Sequence, residues 1–297
     1  MESFATSDFF DNYTFNYKFD DRVTYDVKHT KYGIFNTNFY INNFKTYLLP
    51  KIEKSDENTY QREMNLFHLY PIFEENILSG SIITRCIKVL ILIKSEYLNQ
   101  NRYLLTRMIR PTPFNVKPSS EYLDWRFNLY KKQESSPNDS FNIVHVMNML
   151  MEFKFPDESK FDKTNATDDP NLDSYYYARK TADLIIFKVP ADLKTFRWLL
   201  RHGYPIYCAI VLFESAKSKE NYMFGSYRYP DTNTEKLIGA HPILITGYNH
   251  DKRTFNVLNL MSVDWGYSCK GVISYDYILN PELCADIWTM TYSGYYD

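Results

Sequence analysis

The hydrophobic positions of this chain change period part-way along it. Between residues 81 and 98 nearly every face is apolar, with Ile82, Ile83, Cys86, Ile87, Val89, Leu90, Ile91, Leu92, Ile93 and Leu98 leaving no wide polar stripe. Such a segment reads as a helix buried all round inside a sizeable domain. Residues 118–130 open on Pro-Ser-Ser-Glu, a helix-start signature in which a hydroxyl caps the first free amides. Over 142–153 the spacing of Val144, Met147, Leu150 and Met151 predicts a further amphipathic helix. Residues 158–173 are polar and read as loop, and 192–202 as a short helix stopped by Gly203. From Ile206 onward the pattern is that of strands, at 206–213, 242–248, 254–259, 271–274 and 287–289. Helices first and strands later give an α+β chain.

The first 68 residues behave differently. They are rich in Asn, Asp, Tyr and Phe, alternate only loosely at 23–27 and 33–41, and pass into a polar linker over 51–63. Without a strong apolar period such a segment buries little core alone, while ordering it costs about 1–2 kcal/mol per residue in backbone entropy. It is expected to pack partly on neighbouring protein. The organisation that follows is an N-terminal extension over 1–68, a helical half over 69–186 and a β half over 187–297.

Composition narrows the function classes. A chain of 297 residues with 44% hydrophobic and 24% charged residues is an ordinary globular protein. Its net charge of -2 gives no electrostatic reason to expect nucleic acid or an anionic membrane as partner. The 27 Tyr and 21 Phe, set against only 9 Gly, have two readings: the codon usage of an AT-rich genome, and a surface suited to protein partners, where aromatics are enriched. The start Met1-Glu2-Ser3-Phe4 lacks a basic and then apolar leader, so a cytoplasmic, non-secreted protein is expected. The four Cys (Cys86, Cys208, Cys269, Cys284) have no metal-ligand spacing and are expected as free thiols in a reducing compartment. His145, His202 and His250 likewise lack ligand spacing, and no Gly-rich phosphate loop is present. No metal or cofactor is expected.

The chemistry-bearing stretch lies near the C-terminus. It runs Gly239-Ala240-His241-Pro242-Ile243-Leu244-Ile245-Thr246-Gly247-Tyr248, then Asn259-Leu260-Met261-Ser262-Val263-Asp264-Trp265-Gly266. It resembles the segment of papain-like cysteine peptidases that carries the catalytic His and, one strand later, the Asn that orients it. The helix-Gly-X-Pro-strand passage from Leu193 to Ile206 and the closing Gly271-Val272-Ile273-Ser274-Tyr275 are similar to the same family, so the resemblance covers roughly the last 120 residues. It implies a two-lobed papain-like fold, with His241 and Asn259 as a retained half-site lying side by side near the helix that starts around Ser81.

The first half resembles the family more weakly, through Phe114-Asn115-Val116-Lys117-Pro118-Ser119 and the aromatic helix after it. Upstream, Pro71 to Ile83 matches without gaps the stretch that carries the nucleophile. The alignment puts Ser81 at the position of the nucleophilic Cys and Glu75 at that of the oxyanion-hole Gln. A thiolate at a helix N-terminus beside His is stabilised by dipole and imidazolium. A Ser hydroxyl gains little from that arrangement. Losing one oxyanion donor costs about 2.7–4 kcal/mol of transition-state stabilisation, and an ionised Glu supplies no donor. Cys86, five residues on, is an alternative nucleophile, although it is expected to point into the core. The resemblance therefore implies a catalytically degenerate peptidase relative acting as a structural or interaction protein. With the AT-rich usage, a minor capsid or virion component of a large DNA virus is one form of it. The alternatives are an active peptidase using Cys86 or Ser81 with His241 and Asn259, and a peptide-binding module that does not cleave.

Overall fold

The computed structural model describes residues 62–69, 81–101, 117–133, 154–161 and 184–292, together with Val146, Leu150, Ser174, Tyr177 and Ala178. The strands expected at 23–27 and 33–41 and the site position Glu75 lie outside the described residues. So does most of the helix expected over 142–153, although Val146 and Leu150 are both helical and buried.

Helix α1, Ile82–Gln100, is the buried helix that the apolar run predicts. Val89, Ile87, Leu90 and Ile93 have no exposed surface, and even Lys88 is enclosed, its Nζ held 3.1 Å from Glu158 Oε2. Helix α2, Ser120–Gln133, follows the Pro-Ser-Ser start, with the Ser119 hydroxyl accepting from Tyr122 N. Helix α3, Leu193–Arg201, is capped by Asp192, whose Oδ2 accepts from Thr195 N at 2.8 Å. Two short helices, α4 (Lys219–Phe224) and α5 (Tyr275–Leu279), lie farther along the chain.

The strands are β1 (Glu63–Asn65), β2 (Leu184–Lys188), β3 (Ile206–Phe213), β4 (Ser226–Tyr227), β5 (Leu237–Asn249), β6 (Thr254–Leu258), β7 (Lys270–Ser274) and β8 (Cys284–Tyr292). They form one sheet in the order β2-β8-β3-β5-β6-β7-β4, antiparallel throughout except for the parallel β4–β7 pair. Helix α1 packs against β3, β5 and β8. The expected strands at 206–213, 242–248, 254–259, 271–274 and 287–289 are all present, the second and last of them longer than the pattern predicts.

The sheet takes strands from both sides of the boundary expected at 186, since β2 pairs with β8. It also draws in β1 from within the 1–68 segment, pairing Glu63, Met64 and Asn65 with Asn249, Tyr248 and Gly247. There β6 holds the other edge of β5, so β1 continues the edge that β3 vacates beyond Ile245. Gly247 makes this approach possible: a Cβ there would lie 2.2 Å from the Met64 carbonyl oxygen. A three-residue strand inside a polar stretch leaves no periodic trace in sequence.

Candidate functional site

His241 stands on β5 opposite Ile210 of β3, and Ile210 stands opposite Cys284 of β8, so these three share one row and one face of the sheet. Asn259 is the first residue beyond β6, fixed by its own N–H to the Cys269 carbonyl at 2.8 Å. The two side chains meet: His241 Nε2 lies 2.8 Å from Asn259 Oδ1, and each residue is 1% exposed.

The surrounding bonds fix which atoms are which. An amide side chain could face either way round, but a backbone donor removes that ambiguity: Met261 N–H reaches the same Asn259 atom at 3.1 Å and can only donate. That atom is therefore the amide oxygen, and Asn259 Nδ2 is left to donate to Tyr227 Oη at 2.8 Å. An oxygen facing Nε2 demands a proton on Nε2, so the basic lone pair of the neutral ring sits on Nδ1. Burial holds the imidazole down at about 4, against the upward pull of its bond to Asn259. At neutral pH the ring is uncharged.

Tyr227, which no motif in the sequence singles out, is seated by aromatic packing on Trp265, with ring centroids 5.1 Å apart. Trp265 is itself 1% exposed. Its turn is crossed at close range by the end of α4: Gly266 N donates to the Tyr222 carbonyl at 2.7 Å. Gly266 has φ 58°, and a Cβ on it would lie 2.2 Å from the Lys270 carbonyl oxygen. The Trp-Gly pair thus shields the His–Asn–Tyr chain from water through one tightly packed turn.

The start of α1 approaches from the other side. Arg85 Nη1 donates to the carbonyl of Leu260, the residue after Asn259, at 3.1 Å. Ser81 is the N-cap, its Oγ accepting from Thr84 N at 3.3 Å and lying 3.0 Å from Thr84 Oγ1. Its own N–H donates to Asp124 Oδ2 at 2.8 Å, while Asp124 Oδ1 accepts from Thr84 Oγ1 at 2.9 Å. Asp124 of α2 therefore closes the positive end of α1 with a carboxylate, a role that no sequence spacing signals. Burial raises the Asp124 carboxyl above its usual range, and the bonds from Ser81 and Thr84 oppose that rise. Among the described residues no thiol stands at this helix start. Cys86 is fully buried, as expected, and burial pushes its thiol far above the ordinary range. Among the described residues no group of three or more His, Cys, Asp or Glu is placed to hold a metal ion. Nor is any described helix long and apolar enough to cross a membrane.

No family model matches the chain. An uncharacterized peptidase C1-like protein of Acanthamoeba polyphaga mimivirus is 32% identical over 89 residues, a stretch that is 30% of this chain and 28% of the relative. The chain thus spans less than a third of that relative's length. Among solved structures, xylellain, a cysteine protease from Xylella fastidiosa, superposes with a TM-score of 0.66 at 19% identity, over 91% of this chain and 99% of the other. A structure from work on the mite allergens Blo t 1 and Der p 1 superposes at 0.51 and 11% identity, over 83% and 75% of the two chains. This chain has the papain-like α+β fold and, over an 89-residue stretch, is 32% identical to a peptidase C1-like protein.

Proposed function

We propose that this chain is a papain-like peptidase relative without peptidase turnover, kept as a structural or interaction protein. The observation that carries the reading is the start of α1. Where the fold family presents a thiolate, Ser81 caps the helix, and its N–H is already committed to Asp124. An oxyanion forming there would meet a carboxylate in place of a free donor, and no imidazolium stands ready, since His241 is neutral at physiological pH. In sequence, Glu75 stands where the family carries its oxyanion-hole Gln, and an ionised Glu supplies no donor. The viral origin of the sequence relative supports a role in a large DNA virus, as a minor capsid or virion component.

The test is to incubate the full chain with generic peptide substrates and with a thiol-directed activity probe. We expect neither turnover nor labelling at Ser81 or Cys86. Turnover that Ser81→Ala or Cys86→Ala abolishes in a stably folded variant would establish the active-peptidase reading instead. Recovery of the protein from a purified assembly would support the structural role. A second reading, peptide binding without cleavage, is favoured by the apolar side chains exposed beside the Trp265–Gly266 turn, where Tyr267 is 81% and Phe224 is 69% exposed. Saturable binding of an extended peptide, weakened by Tyr267→Ala, would select it.

A further inference from the structure

Helix α1 encloses two lysines on its length, Lys88 and Lys94, at 1% and 2% exposure. Lys88 Nζ has a carboxylate, Glu158 Oε2, at 3.1 Å. Lys94 Nζ has no carboxylate partner among the described residues. It lies 3.2 Å from the centre of the Tyr204 ring and 5.2 Å from that of Tyr97, and it donates to the His202 carbonyl at 3.4 Å. That bond is long beside the roughly 2.7–2.9 Å of a charge-assisted one. Two aromatic faces and one distant carbonyl replace little of the hydration that an ammonium loses on burial. A buried charge without a counter-charge sheds its proton instead, and burial holds the Lys94 amine well below its ordinary 10.5. The other titratable groups that face Nζ supply no anion. Burial raises the Tyr97 phenol above its usual range, Tyr204 presents its ring, and His202 Nδ1 donates to the Trp198 carbonyl at 2.8 Å while its ring stacks on Trp198.

The place is a joint between elements. Lys94 and Tyr97 belong to α1, while His202, Gly203 and Tyr204 form the turn from α3 into β3. Gly203 has φ 69°, and a Cβ on it would overlap the Tyr97 ring. Helix and turn are therefore in contact without slack. The amides of His202, Gly203 and Tyr204 all bond back to carbonyls of α3, at 2.9–3.2 Å.

We propose that Lys94 is an acid-sensitive latch on this joint. As an uncharged amine it seals α1 against the turn between α3 and β3. On taking a proton from solvent it must reach water, and the turn opens locally to let it. The sign of the pH dependence follows. The folded chain holds this proton less tightly than the unfolded chain, so what the amine contributes to stability is full above 10.5 and is lost as pH falls from there through the folded value. Lys88, with its carboxylate, is the internal contrast: its charge is paired, and removing it strands Glu158.

The experiment follows urea unfolding of the full chain, as wild type and as Lys94→Met, from about pH 5 to about pH 11, with native-state hydrogen exchange at His202, Gly203 and Tyr204. Relative to wild type, the folding constant of Lys94→Met should gain about tenfold for each unit of pH below 10.5, until it levels at the folded value of Lys94. Exchange at the three amides should quicken in wild type relative to Lys94→Met as pH falls through that value. The same difference should persist when both proteins carry His202→Gln, which separates the amine from the imidazole. Should Lys94→Met fail to fold, the Nζ resonance of Lys94 in the wild-type protein decides, and it should titrate well below 10.5. A ratio of folding constants that stays flat across the range, equal exchange at the three amides, or an Nζ that titrates at its ordinary value would overturn the proposal.

Discussion

Replacing Asn259 by Ala tests the buried half-site directly. Three groups lose their bond to this amide at once: His241 Nε2–H, the Met261 N–H and the Tyr227 hydroxyl. His241, Met261 and Tyr227 are 1%, 7% and 6% exposed, so bulk water does not replace what is lost. Each buried group so deprived costs about 1–3 kcal/mol. Because they share one amide they will relax together, and about 3–5 kcal/mol for the set is expected. Tyr227→Phe removes one acceptor from Asn259 Nδ2, so about 1–2 kcal/mol is expected. Urea unfolding reads both. With a slope of about 3 kcal/mol/M for a chain of this size, Asn259→Ala should lower the midpoint by about 1–1.7 M at unchanged slope. A cost for Asn259→Ala below about 1 kcal/mol, or equal to that of Tyr227→Phe, would refute the account of a shared buried network.

The His241 ring supplies a pH dependence. Its folded value near 4 lies below the ordinary 6.5, so the unfolded chain binds the extra proton first. Stability from this group is full above 6.5 and is lost as pH falls toward 4, by roughly 3 kcal/mol in all; unfolding free energies of wild type and His241→Gln measured across that range should differ in slope accordingly. Asp124→Ala takes from Ser81 N–H and Thr84 Oγ1 the acceptor they share and should cost about 2–3 kcal/mol, read by thermal or urea unfolding. Ser81→Ala loses the cap bond to Thr84 N, and about 1 kcal/mol in the same assay is expected. Gly247→Ala should drive β1 off β5, because the new methyl would overlap the Met64 carbonyl. Hydrogen exchange at Leu66 and His250, whose amides bond across this pair to the Thr246 and Arg62 carbonyls, should then accelerate while β3 and β6 stay protected.

What is legible in sequence follows from the length and period of each element. Helix α1 declares itself through a long run without a polar face, and β3 through an unbroken apolar run from Ile206 to Phe213. The His241–Asn259 contact is legible because the motif around it is long, and the hydrogen bond between them is what that motif implies. Strand β2 escapes notice although Leu184-Ile185-Ile186-Phe187 is apolar, because so short a run does not distinguish strand from buried helix. Tyr227 and Asp124 are hidden for a different reason. Each reaches the site from a separate element, 32 residues before Asn259 and 43 after Ser81 respectively. Their roles depend on how those elements pack, which no local spacing encodes.

On the proposed reading of a peptidase relative without turnover, the two halves of the site are held by unequal forces, and this gives a physical reason for one to persist while the other changes. Ser81 is half-buried at a helix terminus, where any small polar residue caps the helix and a change costs about 1 kcal/mol. A nucleophile in that position can be exchanged with little effect on folding. His241 and Asn259 lie inside the sheet, and each satisfies the other along with Met261 and Tyr227. Altering either strands buried polar groups at several times that cost. Once selection for turnover is relaxed, the helix start is free to drift while the pair stays fixed by the energetics of the fold. A retained His–Asn pair is therefore no evidence of catalysis by itself. On that reading the group that reports on chemistry is the one at the mouth of α1, where Asp124 accepts from the Ser81 N–H that an oxyanion would need.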